Sequence, residues 1–163
     1  PINLVEFTTQ IVEEMRDSAA EHKSELQFKL PRKDVIVLAD ERYLRMVIEN
    51  LISNALKYSE AGRPIKITIT ARKETALLAV RDYGVGITED DTKKLFKKFT
   101  RIPNPLSRSV SGSGLGLFLA EQIMIAHDGE IEVDSKVGKG SIFTLTMPTY
   151  EQETVLIRKE NKR

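Results

Sequence analysis

The 163-residue sequence predicts an α+β sandwich: a mixed, mostly antiparallel sheet with helices packed on one face. Helical and strand-like stretches alternate as one helix and then two strands, a pattern that layers helices on a sheet. A doubly wound parallel sheet requires strands to alternate singly with helices, and the hairpin-like pairs argue against it. A chain of this length buries roughly two-thirds of the surface its unfolded form exposes, enough for one sizeable core.

Asn3 followed by Glu6 resembles a capping box, and Leu4, Phe7, Ile11, Val12 and Met15 recur at helical spacing, so a first helix runs to about Ala20. "ELQFKL" alternates Leu26, Phe28 and Leu30, and after Pro31 the run "VIVLA" reads as the second strand of the same hairpin. Asp40 is an N-cap candidate for a helix whose apolar stripe is Leu44, Val47, Ile48, Leu51, Ile52 and Ala55, ending near Tyr58. "IKITITA" and "ALLAVRD" are two further strands that pair across a short polar turn. Glu89 to Phe99 allows a short helix, and Thr100 to Ser113 is a Ser-, Pro- and Arg-rich loop. Leu115 to Ala126 is helical, and "EIEVDS" and "SIFTLTMP" are strands separated by "KVGKG". The domain is expected to span residues 1–148, with a charged, loosely held tail at 149–163.

With 25 Lys plus Arg against 24 Asp plus Glu, the net charge of +1 gives no overall field for nucleic acid, so any anion is bound locally. There are no cysteines, which excludes disulfides and thiolate metal sites. No apolar run approaches the ~20 residues that span a bilayer. The chain opens at Pro1 already in a helical pattern and reads as a piece of a longer protein.

Three stretches carry chemistry. In "SVSGSGLGLFLAEQI", Gly112, Gly114 and Gly116 lead directly into a helix. A helix N-terminus leaves about four N–H groups unpaired and carries roughly half a positive charge, so phosphate is its usual guest, and glycine lets the backbone approach. Neither the P-loop pattern nor the dinucleotide fingerprint is present. On the helix from Asp40 to Tyr58, Asn50, Asn54 and Lys57 stand at i, i+4 and i+7 as a polar strip. Amide oxygens suit magnesium, and a lysine supplies a point charge to phosphate. In "DYGVGI", Asp82 closes an apolar strand, where a buried carboxylate accepts a hydrogen bond from an exocyclic amine such as that of adenine. "VGKGS" reads locally as a hairpin turn.

Together and in order, these stretches resemble the nucleotide-binding boxes of the histidine-kinase, gyrase, heat-shock chaperone and MutL ATPase superfamily. "ENLISNALKYS" resembles the asparagine box, "DYGVGI", "GSGLGL" and "GKGS" the three glycine boxes, and "LFKKFTRI" the phenylalanine box. The branch most similar is the catalytic ATP-binding domain of sensor histidine kinases, over Asn3 to Pro148. The resemblance implies a Bergerat-type fold with three helices on one face of the sheet and an ATP lid at about 97–113. It implies that Asn54 binds Mg2+ with Asn50 assisting, that Lys57 and Arg101 approach the phosphates, and that Tyr58 lies along the adenine. Asp82 accepts the adenine amine, Gly84 and Gly86 let the base approach, and Phe96 and Phe99 brace the lid. Gly112, Ser113, Gly114, Leu115 and Gly116 wrap the triphosphate. The resemblance also implies a hydroxyl near the base, from Ser141 or Thr144.

In the gyrase, MutL and anti-sigma kinase branches the residue matching Asn50 is a glutamate that activates water or serine. An amide cannot accept that proton at neutral pH, whereas a neutral imidazole is already nucleophilic. Glu49, roughly 100° round the helix, stands at the edge of the site. The function expected is therefore a protein-histidine kinase catalytic domain that binds Mg-ATP and passes the γ-phosphoryl group to a histidine elsewhere, with Asn50, Lys57 and Arg101 as catalytic residues. The alternative is a non-catalytic nucleotide-binding regulatory module of the same fold. His22 and His127, the only histidines, lie outside the family's phosphoacceptor pattern. Expected partners are a histidine-bearing dimerisation domain and a downstream response regulator, with no nucleic acid. The isolated domain is expected to be monomeric and cytoplasmic, in a parent that is membrane-anchored or not.

Overall fold

The structure, a computed structural model, describes residues 1–102 and 113–150. The expected role of Gly112, much of the lid and the tail beyond Tyr150 lie outside the described residues. A short strand β1 (Ile2–Asn3) leads into helices α1 (Leu4–Glu14) and α2 (Arg16–Glu21). Strands β2 (Leu26–Lys29) and β3 (Ile36–Val37) precede the longest helix, α3 (Glu41–Tyr58). Then come β4 (Ile65–Ala71), β5 (Thr75–Arg81), α4 (Glu89–Thr92), α5 (Gly116–Ala126), β6 (Glu130–Lys136) and β7 (Gly140–Pro148). Five strands form one sheet in the order β2-β4-β5-β7-β6. Only β2 and β4 run parallel; the other neighbours are antiparallel. The α+β class read from the pattern is the class observed.

One pairing differs from expectation. β2 and β3 are not a hairpin: β2 lies parallel to β4, with Leu26 opposite Ile65, and β3 pairs with β1 in a separate two-stranded ribbon. Alternation marks a strand but does not name its partner, and Pro31, lacking an N–H, sits where the chain turns away. Leu30 and Leu38, at the ends of those runs, are exposed.

The first helix divides at Met15, whose ψ near 0° starts α2. Asn3 caps α1 by accepting the Val5 N–H at 3.2 Å, while Glu6 makes no return bond among the described residues, so the box is half-built. α3 starts at the expected cap, with Asp40 Oδ1 accepting from Arg42 and Tyr43. α4 stops at Thr92, short of the expected Phe99, and single turns follow to Phe99, which has φ +59° and is 71% exposed. Phe96 packs against the core from a half-buried position, so only one of the two bracing phenylalanines is held by it.

The core lies between α1, α3 and α5 and one face of the sheet. Leu44, Val47, Ile48, Leu51, Ile52, Ala55 and Leu56 of α3 meet Ile65, Ile67, Ile69, Leu78, Val80 and Leu145. None of the side chains on the opposite face is buried, and no element among the described residues covers it. A strap joins the far ends of α5 and α3: His127 Nε2 accepts the backbone N–H of Asp40 at 3.0 Å. Its Nδ1 lies 2.7 Å from the Ile123 carbonyl. That carbonyl can only accept, so the Nδ1–H form of the neutral ring serves both bonds.

Candidate functional site

A cleft of about 250 Å³ opens between α3, the turn after β5 and the start of α5. Asn50, Asn54, Lys57 and Tyr58 line it from α3 because i, i+4 and i+7 share one helix face. Asp82 and Gly86 contribute from the turn, Arg101 from the segment before the undescribed residues, and Ser113, Gly114 and Gly116 from the approach to α5. Residues dispersed over sixty-odd positions of sequence thus meet at one opening. Val85, Ile87, Ile102, Leu117 and Phe143 give it apolar walls that the sequence reading had left unassigned. Their period-2 and helical spacings look the same whether the side chain faces core or cleft.

Asp82 is 5% exposed. Its Oδ1 accepts the N–H of Gly84 at 2.9 Å and that of Ser141 at 3.3 Å, while Oδ2 has no protein partner among the described residues. Burial pushes the carboxyl above its ordinary range, and the two N–H donors and the Arg81 charge oppose that rise. The carboxylate is therefore fixed through one oxygen and presents the other to the cleft.

The glycines serve the protein before any ligand. A Cβ on Gly84 would stand 1.8 Å from the Tyr58 carbonyl oxygen, and one on Gly86 2.1 Å from that of Lys136. Their missing side chains admit the end of α3 and the β6–β7 turn. "VGKGS" is that turn and also a brace: Gly138 donates to the Val85 carbonyl at 2.8 Å, and Gly140, at φ +94°, lets Asp82 come close to β7. Ser135, which the sequence reading missed, accepts the Ile87 N–H at 2.9 Å and sits 2.8 Å from the Ser141 hydroxyl.

Of the two candidate hydroxyls, Ser141 lines the cleft. Thr144 does not, because it is an odd number of residues along β7 and so projects from the other face of the sheet. Leu115 sits at the N-cap of α5 and is not among the cleft-lining residues. Glu49 lines a neighbouring groove, its carboxylate 3.4 Å from Arg45.

Two polar features beside the cleft, the start of α5 and the Asn50 amide, lack a side-chain cap or a hydrogen-bond partner among the described residues. Asn3, Asp40 and Thr88 cap α1, α3 and α4 with side-chain oxygens, but α5 has no such capping bond. Packed against its first residue, Gly116, Asn50 Nδ2 is buried without a hydrogen bond among the described residues. Orphaned polar groups of this kind carry a desolvation cost of about 1–3 kcal/mol unless something outside the protein satisfies them. A half-turn of the amide exchanges its donor and acceptor ends, so the position can meet an anion or a cation. No cluster of three His, Cys, Asp or Glu able to hold a metal exists among the described residues. The donor set of two amides fits an ion that takes most of its ligands from water and phosphate, as magnesium does.

The family model described as histidine kinase-, DNA gyrase B-, and HSP90-like ATPase matches residues 39–151. The sensor histidine kinase RppB of Synechocystis sp. is 34% identical over 147 residues, covering 90% of this chain and 32% of RppB. WalK of Bacillus subtilis, also a sensor histidine kinase, is 36% identical over 154 residues, 93% of this chain and 25% of WalK. The chain thus spans about a quarter to a third of these relatives. Among solved structures, the mycobacterial sensor histidine kinase MprB matches with a TM-score of 0.79 at 23% identity, over 93% of this chain and 97% of that one, a likeness of fold. Full-length ShkA in complex with AMPPNP matches with a TM-score of 0.79 at 27% identity, over 91% of this chain and 30% of that one.

Proposed function

The chain belongs to the histidine kinase-, DNA gyrase B- and HSP90-like ATPase family, and we propose that it is the part of a sensor histidine kinase that binds Mg-ATP and donates the γ-phosphoryl group to a histidine on a separate dimerisation domain. The observation that carries this reading is that, among the described residues, the α5 N-terminus has no side-chain cap and the Asn50 Nδ2 packed against its first residue has no hydrogen-bond partner. Both are satisfied by a polyphosphate. The likeness to full-length ShkA in complex with AMPPNP supports a nucleoside triphosphate as the ligand.

Asp82 Oδ2 accepts the exocyclic amine of adenine, and Tyr58 lies along the ring. Gly114, Gly116 and the first N–H groups of α5 receive the phosphates, with Lys57 and Arg101 adding charge where it develops in transfer. Asn54 and Asn50 would hold magnesium, which when bound neutralises phosphate oxygens. Asp82 is the one carboxylate among the described residues lining the cleft, and it is committed to the far end, so no base stands ready to activate water. A nucleophile that needs no base, a neutral imidazole, fits that arrangement. The neighbouring groove, with half-exposed Met46 and Leu119, offers an apolar seat for the helix that brings it.

On this reading the phosphoryl group passes onward to a response regulator, and the domain works on the cytoplasmic side. No helix among the described residues is long and apolar enough to cross a membrane. The test mixes this chain with the histidine-bearing helical segment of its parent and γ-labelled ATP. Acid-labile label on the segment and none on this chain is expected. Label on His22 or His127, or nucleotide binding with no transfer, the behaviour of a regulatory module, overturns the proposal.

A further inference from the structure

The sheet face that carries no helices is ordered in charge. Strand register places Lys66, Arg81, Ile142 and Asp134 in one row, Thr68, Ala79, Thr144 and Glu132 in the next, and Thr70, Leu77, Thr146 and Glu130 in the third. The β4 and β5 corner is basic and the β6 column acidic from Glu130 to Asp134, ending in the exposed Lys136, with a centre of threonine, alanine and leucine between. At the basic corner Arg63, Lys66 and Arg81 lie 4.8, 5.5 and 4.8 Å from the centroid of the Tyr83 ring. None of the three forms a salt bridge among the described residues. Lys66 beside the hydroxyl, together with Arg81 and Arg63, holds the Tyr83 phenol below its usual range, a mark of local positive potential. Three like charges on one ring repel each other, and the ring faces offset only part of that.

We propose that this face docks on the same face of a second copy of the chain. A two-fold axis parallel to the strands, between β5 and β7, lays β6 of each copy over β4 of the other and keeps the rows aligned. Asp134 of the second copy then meets Lys66 and reaches toward Arg81, Glu132 of the second copy lies beside Lys66, and Ala79 and Leu77 meet Thr144 and Thr146. Every contact occurs twice, as an isologous interface requires. Acidic residues along β6 also guard a sheet edge against stray pairing, but that role explains neither the basic corner nor the matching rows.

The face measures about four strands by five residues, on the order of 300 Å² projected, well under the ~800 Å² per partner of a stable dimer. The contact therefore forms near millimolar concentration, the range that tethering two copies supplies. This departs from the monomer expected from sequence, in which strand patterns do not show which charges share a row.

Sedimentation equilibrium of the 163-residue chain tests it. At about 0.05 M salt, dimer is expected to accumulate as the chain approaches about 1 mM, and to weaken at about 0.5 M. Lys66→Glu and Asp134→Lys are each expected to weaken association about five- to tenfold, and combining them to restore it to within about threefold. A chain that stays monomeric at about 1 mM overturns the proposal, as does a dimer indifferent to both substitutions but lost on Leu119→Lys. Nucleotide affinity measured on the same variants is expected to be unchanged, which keeps failure here distinct from failure of the nucleotide reading.

Discussion

Gly116 and Asn50 occupy one another's space: a Cβ on Gly116 would stand 2.4 Å from the Oδ1 of Asn50. The first residue of α5 is thus the seat of the α3 amide.

Gly116→Ala separates this seat from the helix it belongs to. Alanine favours a helix over glycine by up to about 1 kcal/mol, so the melting temperature is expected to move only slightly. The displaced amide is expected to lower ATP affinity at least tenfold, about 1.4 kcal/mol, by calorimetry. Unchanged affinity would show that Asn50 is not part of the phosphate site.

Asp82→Asn is expected to weaken ATP binding by about 5- to 150-fold, equivalent to about 1–3 kcal/mol. The Gly84 and Ser141 N–H groups retain the amide oxygen, which turns the NH2 toward the adenine amine, donor against donor. A keto purine suffers less, so the ATP-to-GTP preference is expected to narrow; a ratio that stays constant counts against base reading by Asp82.

The same substitution has a pH signature. Because the folded carboxyl titrates above its unfolded value, the native state holds the proton more tightly. Asp82 therefore favours the fold most at acid pH, and that contribution is lost as pH rises from the unfolded value of about 3.9 through the folded one. Relative to Asp82→Asn, the wild-type chain is expected to lose stability across that window and to be no more stable at neutral pH. Urea titrations at several pH values check this, and a difference independent of pH would refute it.

Gly84→Ala is expected to cost about 3 kcal/mol or more, since the new methyl overlaps the backbone of Tyr58 and not a flexible side-chain end. Gly62, at φ +82° with nothing within 4 Å of its missing Cβ, is the control. Alanine there is expected to cost only about 1 kcal/mol, from the left-handed backbone. Equal losses in urea unfolding would mean that the Tyr58 backbone gives way to the new methyl, since Gly84, unlike Gly62, has no positive φ.

His127→Ala removes the strap, and because the Asp40 N–H is exposed, water takes the place of the imidazole, so the expected cost is that of one net hydrogen bond, about 0.5–1.5 kcal/mol in urea unfolding. His22, bonded only to its own helix carbonyl at Ser18, is the exposed counterpart whose replacement is expected to change stability by less than about 0.5 kcal/mol. Parity between the two would remove the strap from the account.

The class of fold and the α3 strip were legible because periodicity and capping are local. Asp40, Leu44, Ile48 and Asn54 each announce themselves within one or two turns. The partner of β2 was not, since Leu26 pairs with Ile65 across the whole of α3. Ser135 was hidden for the same reason: a serine on an exposed edge strand gives no sign that it reaches Ile87, 48 residues earlier. Phe99 reads as an ordinary bracing hydrophobe, yet its positive φ turns it outward.

The carboxylate of Asp82 is held from both sides of a 59-residue gap, by its own turn and by the first residues of the last strand. During synthesis, a chain emerging from the ribosome carries helix, asparagines and turn long before Ser141 exists. On the proposed reading, selective recognition of a base by Asp82 therefore waits for the final hairpin to close.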